Sequence, residues 1–184
     1  DNKNEINSKK FELKTNFFLK ELNVLEEGLV IISGKRNINF VLMYNASFLS
    51  KHSLINLNVD NYKEISSSLK EIFEKNFINI YFVSDSDISL IIKNSYIINS
   101  IKNCELMISS GTSGVEKIVV LEKKILLKHI KRINKVFEVD ENISELIIMP
   151  LTHSFGLMRL RCAINRNSNI YIASSLTDFK LIKI

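Results

Sequence analysis

Hydrophobic and polar positions along the chain follow two alternating patterns, one typical of amphipathic helices and one of buried strands. Apolar residues recur at helical spacing over 11–27, and Gly28 then introduces the continuous apolar run 29–32. The same alternation continues to the C-terminus. The pattern predicts helices over 11–27, 37–49, 62–75, 123–137 and 155–164, and strands over 29–32, 54–57, 78–83, 105–108, 118–121, 146–149 and 169–173.

The third predicted helix carries the clearest start signal. Asn61 lies three residues before Glu64, the spacing of a capping box, and the apolar stripe that follows has helical period. That stripe consists of Tyr62, Ile65, Leu69, Ile72 and Phe73. The pattern therefore predicts one continuous helix over 62–75.

Strands that alternate with helices of this length are typical of βαβ units, in which crossover helices cover both faces of a mainly parallel sheet. The predicted fold is α/β, with three layers and a mostly parallel sheet between helices. Residues 1–10 are polar, and we expect them to be a disordered leader. Since no repeat, linker or low-complexity tract interrupts 11–184, we expect a single α/β domain there.

Composition narrows the class of protein. A chain of 184 residues that is 46% hydrophobic and 24% charged falls in the range of folded globular domains. The net charge of +5 is spread along the chain, so we expect no nucleic-acid partner. Cys104 and Cys162 belong to no Cys/His cluster, so they indicate no metal site and no disulfide framework. They fit a reducing cytoplasm.

The sequence contains neither a membrane-spanning segment nor a signal peptide. No apolar run reaches the roughly 18 residues of a membrane-spanning helix, and the polar start lacks the apolar region of a signal peptide. The sequence begins at Asp1 without methionine and ends inside an apolar segment. We therefore expect a cytoplasmic protein without a membrane span, of which this chain is one piece.

One loop is unusually rich in small polar residues. After the strand at 105–108, residues 109–117 read SSGTSGVEK and hold two of the five glycines. Glycines let a backbone approach a ligand closely, hydroxyls add donors, and Lys117 adds a cation, so the loop suits a polyphosphate. It is not a Walker A loop, because Val115 rather than lysine follows Gly114. A surface turn of Ser and Gly remains the alternative.

A second segment, MPLTHSFGL at 149–157, contains the only proline, Pro150. The loop and this segment together resemble two ordered motifs of the adenylate-forming (AMP-binding) superfamily, which includes acyl-CoA synthetases, adenylation domains and luciferases. Residues 28–43 resemble the opening strand, turn and helix of that family. Glu116 and Ile118 stand where the family usually has proline and glycine, and Lys123 stands where it usually has histidine.

The resemblance covers the N-terminal portion of a family member. It implies an enzyme that uses ATP with Mg²⁺ to convert a carboxylic acid into an acyl-adenylate, and then passes the acyl group to coenzyme A or a carrier-protein thiol. It also implies a C-terminal part that completes the enzyme, while this chain contributes the phosphate loop and part of the acyl pocket. It implies no metal ligand in this chain.

The resemblance also implies roles for individual residues. His153 would be catalytic and would meet the substrate carboxylate, with Phe155 beside it in the acyl pocket. The residues implied to bind the phosphates of ATP are Ser109, Ser110, Gly111, Thr112, Ser113, Gly114 and Lys117.

Three alternatives remain open. Glu116 and Ile118 favour a truncated or degenerate relative that acts as a non-catalytic binding or scaffold module. Residues 85–87 form a D-x-D, which suits either a metal and sugar nucleotide or a solvated turn. The basic residues of 123–137, Lys123 included, form either a membrane or nucleic-acid surface or the solvated side of a helix. We expect His52 and His129 at the surface.

Overall fold

The computed structural model describes residues 6–34, 37–84, 87–97, 100–110 and 116–173, except for the side chains at 110 and 116. These residues form two compact units. The first runs as far as Lys123, and the second begins at Lys124 and also includes Asn37. The single domain over 11–184 stays a prediction.

The first unit contains three long helices and six strands. Its helices are α1 (Ser8–Val24), α2 (Ile38–Leu49) and α3 (Ser67–Asn76), with a short 3₁₀ helix at Tyr62–Glu64. Its strands are β1 (Gly28–Ser33), β2 (Ser53–Leu57), β3 (Asn79–Ser84), β4 (Asp87–Lys93), β5 (Cys104–Ser110) and β6 (Glu116–Glu122). Helix α4 (Lys123–Val136) begins at its last residue.

The six strands form one mixed sheet in the order β4-β3-β1-β2-β5-β6. The four inner strands are parallel, and the two edge strands pair antiparallel to their neighbours. All six residues of β1 are buried, as expected for a central strand whose sequence is apolar on both faces. The predicted mostly parallel sheet is confirmed.

Helices cover both faces of this sheet. On one face, Leu69 and Phe73 of α3 pack into a core with Leu29, Ile31 and Phe82. On the other face, Tyr44 of α2 donates a hydrogen bond to the buried Glu105 carboxylate of β5 at 3.0 Å, and α1 packs against α2. The predicted three-layer α/β arrangement is therefore confirmed.

One predicted element was wrong, and one strand was missed. The helix over 62–75 is interrupted, because Ile65 and Ser66 have extended ψ angles of 135° and 149°. Asn61 caps only the 3₁₀ helix. Ser66 is the N-cap residue of α3, and its hydroxyl accepts a hydrogen bond from the backbone N–H of Leu69. Strand β4 was not predicted at all.

His52 is also placed differently from the prediction, since its side chain is fully buried between α1 and the sheet. The backbone N–H of Gly28 donates to Nδ1 at 3.2 Å, and Nε2 therefore carries the proton donated to Leu22 O at 2.8 Å. Gly28 fits here because a Cβ would lie 2.2 Å from Asn79 O. Burial lowers the pKa of His52. His129 is exposed, as predicted.

The second unit contains a parallel strand pair, β7 (Glu145–Ile147) and β8 (Ile170–Ile172), and helix α5 (Ser154–Asn165). Its centre is the buried carboxylate of Glu145, which accepts from Arg159 and from Arg166 Nη2, the latter at 2.5 Å. Asn134 of α4 donates to the carbonyl of Cys162 at 3.0 Å. This network joins α4, α5 and the strand pair through charged and amide groups.

Candidate functional site

The proposed phosphate loop connects the two strands of an antiparallel hairpin. Strands β5 and β6 pair along seven positions, from Cys104 opposite Glu122 to Ser110 opposite Glu116. Residues 111–115 join the two strands, and they lie outside the described residues. Gly111, Thr112, Ser113 and Gly114 therefore receive no structural account.

The two described side chains predicted to contact phosphate lie opposite each other at the loop end of this hairpin. Ser109 and Lys117 are register partners, and the Ser109 hydroxyl donates to the carbonyl of Lys117 at 3.4 Å. The Lys117 side chain is exposed to solvent. A hydroxyl and an ammonium group thus flank the start and the end of the loop.

The position of the hairpin in the sheet is the one where ligands bind in α/β proteins. Strand β5 is parallel to β2, which is parallel to β1 and, through it, to β3. The carboxyl ends of these four strands all lie at the same end of the sheet, and Ser110 is the last residue of β5. Ligands of open α/β sheets bind just beyond the carboxyl ends of the strands.

A buried lysine holds the opposite end of the hairpin. Lys123 follows β6, and its ammonium group donates to the carbonyls of Ser47 at 2.8 Å, Ser50 at 3.0 Å and His52 at 2.5 Å. Burial lowers its pKa to about 8, against the opposing attraction of the Glu105 carboxylate. The interpretation of Lys123 as part of a solvated basic stripe was wrong. Its burial depends on contacts more than 70 residues away.

His153 and Phe155 lie at the start of α5 in the second unit. His153 is the N-cap residue, but its imidazole makes no capping hydrogen bond. Its backbone N–H donates to Pro150 O at 3.1 Å, and its carbonyl accepts from Leu157 N at 3.0 Å. The imidazole is exposed, as is 61% of the Phe155 side chain. Both side chains are therefore accessible to a ligand.

The geometry explains why this segment has glycine at 156. A Cβ there would lie 2.4 Å from the carbonyl oxygen of Pro150 and 2.9 Å from that of Met149. Real Cβ atoms do not approach so closely, so a larger residue would push α5 away from the turn that precedes it. Pro150 and Gly156 thus form one structural unit that fixes His153 at the helix start.

The D-x-D at 85–87 joins two paired strands. Ser84 of β3 pairs with Asp87 of β4, so only residues 85 and 86, which lie outside the described part of the chain, connect them. Within the described ranges, no group of three His, Cys, Asp or Glu side chains is placed to hold a metal ion.

Solved structures share this fold. MatB from Rhodopseudomonas palustris, bound to ATP, has a TM-score of 0.72 at 12% identity, over 95% of this chain and 41% of MatB. The adenylation domain AlmE of Vibrio cholerae, in complex with glycyl-adenosine-5'-phosphate, has a TM-score of 0.67 at 15% identity, over 95% and 41%. The fold is that of the N-terminal portion of the adenylate-forming enzymes. The likeness extends to Bacillus subtilis O-succinylbenzoate coenzyme A synthetase (MenE) in complex with AMP, with a TM-score of 0.68 at 15% identity, over 95% and 51%.

At these identities the comparisons establish the fold, and the chain spans about 41% of the length of MatB and AlmE. No protein-family model and no curated protein matches the sequence. In the described parts of the chain, none of the helices combines the length and apolar character that a bilayer crossing requires.

Proposed function

We propose that this chain is the N-terminal part of an ATP-dependent enzyme that activates a carboxylic acid as an acyl-adenylate and then forms a thioester with coenzyme A or a carrier-protein thiol. The observation that carries the proposal is the sequence SSGTSG, which includes the last two residues of β5 and continues toward β6, at the carboxyl ends of the parallel strands of a sheet whose fold is shared with MatB, AlmE and MenE. A cytoplasmic location fits ATP as a substrate.

The loop residues would act by positioning and by electrostatics. Bound ATP supplies the α-phosphorus that the substrate carboxylate attacks and the pyrophosphate that leaves. The hydroxyls of Ser109, Ser110, Thr112 and Ser113 would donate to phosphate oxygens, and the Lys117 ammonium would offset their charge. Gly111 and Gly114 would let backbone N–H groups approach the phosphates. Such fixed donors align reactants and stabilise the leaving group.

Mg²⁺ would reach the site with the nucleotide. The described residues contain no cluster of acidic or histidine ligands, and magnesium commonly binds through substrate phosphates with few protein ligands. This chain would therefore bind the phosphates through the hydrogen-bond donors of the loop and through Lys117, and it would not supply a metal cage of its own.

His153 and Phe155 would serve the carboxylic acid. An exposed imidazole at the start of a helix can donate a hydrogen bond to a carboxylate or phosphate oxygen, and an exposed aromatic ring provides apolar surface for an acyl chain. The assignment rests on the segment PLTHSFG and on the accessibility of the two side chains.

A non-catalytic binding module is the second candidate. Glu116, the first residue of β6, adds a carboxylate directly after the loop, and like charges beside a polyphosphate weaken its binding. This candidate predicts that the protein binds nucleotide or pyrophosphate but forms no adenylate.

Pyrophosphate exchange into ATP tests the proposal in the gene product that contains this chain. With a panel of carboxylic acids, we expect exchange, and we expect Thr112→Ala and Lys117→Ala to slow it by about 10²-fold or more, as loss of one fixed donor to a developing anion does. Lys128→Ala removes another exposed lysine, on α4, and should leave exchange unchanged.

The outcomes separate the two candidates. Equal exchange in wild type, Thr112→Ala and Lys117→Ala would show that the loop does not hold the phosphates. Nucleotide binding by calorimetry without exchange for any acid would identify a binding module. Loss of exchange in Lys128→Ala as well would point to a general defect rather than to the loop.

A further inference from the structure

Helix α1 has two apolar faces, and the described part of the chain packs against one of them. Thr15, Phe18 and Leu22 are buried on the inner face. Leu13, Phe17 and Val24 are 63%, 57% and 83% exposed. A surface helix ordinarily presents polar residues on its solvent side, so exposed apolar side chains of this size call for an explanation.

The three exposed side chains form one stripe. At the helical rotation of about 100° per residue, Leu13, Phe17 and Val24 lie within about 40° of one another, and the stripe extends for about 16 Å along the axis. It lies opposite the buried face. The residues therefore lie along one outward line, with Lys20 between Phe17 and Val24, and we name them the α1 ridge: Leu13, Phe17 and Val24.

Lysines flank this ridge on both sides. Lys9, Lys10 and Lys20 are exposed and lie within about 60° of Leu13 around the helix. Of the acidic residues of α1, all of which is described, Glu12 lies about 120° from the centre of the ridge and Glu21 lies about 60° from it, at one border. The outward arc thus combines apolar tips with three lysines and a single carboxylate at its border.

We propose that the α1 ridge docks the protein onto an anionic lipid surface. Leu and Phe side chains enter the boundary between headgroups and acyl chains, while lysines extend their ammonium groups to lipid phosphates. The flanking charge decides between occupants: two copies of the ridge facing each other would bring lysines together, whereas an anionic bilayer complements both components. The proposal is independent of acyl-adenylate formation.

Helix α4 is the competing basic surface. Lys128, Lys131 and Lys135 are exposed and share one side of that helix, and α4 contains no acidic residue. If the protein bound membranes through nonspecific electrostatic attraction alone, α4 would contribute to binding at least as much as α1. Replacing the lysines of α1 and those of α4 in separate variants therefore distinguishes binding through the α1 ridge from nonspecific electrostatic attraction.

Vesicle co-sedimentation of the full chain tests the proposal. We expect binding to phosphatidylcholine vesicles that contain about one third phosphatidylglycerol, weak binding to phosphatidylcholine alone, and weakening by salt. Combined Lys9→Gln, Lys10→Gln and Lys20→Gln substitutions should reduce partitioning by about fivefold per lysine. Leu13→Ser with Phe17→Ser should reduce it by at least about tenfold. The matched control is Lys128→Gln, Lys131→Gln and Lys135→Gln.

Fluorescence gives a second readout, because the chain contains no tryptophan. Phe17→Trp places one reporter on the α1 ridge, and Phe137→Trp places one at another exposed aromatic position, 71% accessible, beyond α4. We expect anionic vesicles to shift the emission of Phe17→Trp to the blue and to leave that of Phe137→Trp unchanged. Circular dichroism of each variant establishes that it is folded.

Three results would overturn the proposal. The first is absence of wild-type binding to anionic vesicles. The second is loss of binding in the α4 control with retention in the α1 lysine variant. The third is a dimer in sedimentation equilibrium that Phe17→Ser dissociates, because a second copy would then cover the ridge.

Discussion

His52 links the stability of the first unit to pH. Its Nδ1 accepts from Gly28 N–H and its Nε2–H donates to Leu22 O, so the neutral ring satisfies both neighbours and a second proton would confront an N–H donor. Burial, Lys51 and Lys123 lower its pKa below the ordinary 6.5, while the Leu22 carbonyl and Glu27 oppose them. The unfolded chain therefore binds the proton more readily, and acid favours unfolding.

We expect the free energy of unfolding to fall as the pH decreases below about 6.5. His52→Gln should lower it by roughly 1–3 kcal/mol at pH near 7.5, because a buried partner is lost, and should flatten the decline between about pH 7 and 5. Urea titrations at each pH measure both effects. The exposed His129→Gln is the control, and the same acid decline in His52→Gln and in wild type would contradict this assignment.

Lys123 links stability to pH in the alkaline range. Its pKa is about 8 in the folded chain against an ordinary value of 10.5, so the folded form releases the proton first and its stability rises from about pH 8 to 10.5. Lys123→Met removes the ammonium from three carbonyls and from the field of Glu105. We expect a loss of about 3 kcal/mol at neutral pH.

Because the wild type gains stability as Lys123 deprotonates, the difference between wild type and Lys123→Met should widen with rising pH. Denaturant titrations from about pH 7 to 10 measure it, and the effects of Cys162 and the tyrosines, which are common to both proteins, cancel in the difference. Lys128→Met should change little. A constant difference across this range would show that the pKa of Lys123 is not lowered.

These two side chains also show where sequence reasoning fails for single residues. His52 was expected at the surface and Lys123 on a solvated face, and neither has a local pattern that signals burial. Their partners lie 24 and 30 residues away for His52 and 71–76 residues away for Lys123. Only the pairing of α1, α2 and the sheet brings those carbonyls and amides together.

Ser66 determines where α3 begins. Its hydroxyl accepts from Leu69 N–H at 3.4 Å, and its extended backbone separates α3 from the preceding 3₁₀ helix. We expect Ser66→Ala to lower the free energy of unfolding by about 0.5–1 kcal/mol, near the lower end for a lost N-cap. The neighbouring Ser67→Ala, inside the helix, should leave stability unchanged or raise it slightly, because alanine is the better helix former. If thermal melts show the same loss of stability for Ser66→Ala and Ser67→Ala, the Ser66 hydroxyl has no specific capping role.

The helices and inner strands could be predicted because the spacing of apolar residues along the sequence indicates which side chains are buried. Residues 29–32 of strand β1 are all apolar, and the strand lies between two parallel neighbours, as that run indicates. Strand β4 was missed because an antiparallel edge strand is largely exposed, so its sequence does not need the apolar run of a central strand. The break at Ile65 was missed because the apolar stripe continues across it, with Ile65 itself buried.

Considered as a whole, the molecule has the fold that the two motifs implied, whereas the roles of their residues stay predictions. The motif in the sequence indicated that Ser109 and Lys117 belong to one site. It did not indicate that antiparallel pairing places them directly opposite each other. The cause of glycine at 156, a carbonyl oxygen of Pro150 2.4 Å from a Cβ position, is visible only in three dimensions. The acid that would be activated depends on a pocket that sequence motifs do not define.

The order of strands in the sheet has a consequence for biosynthesis. Strand β2 pairs with β1, β3 with β1, β4 with β3, β5 with β2, and β6 with β5. In this six-stranded sheet, every strand after β1 therefore meets a partner that has already been made. The centre of the sheet is synthesised first, and the hairpin with the proposed phosphate loop joins a support that already exists.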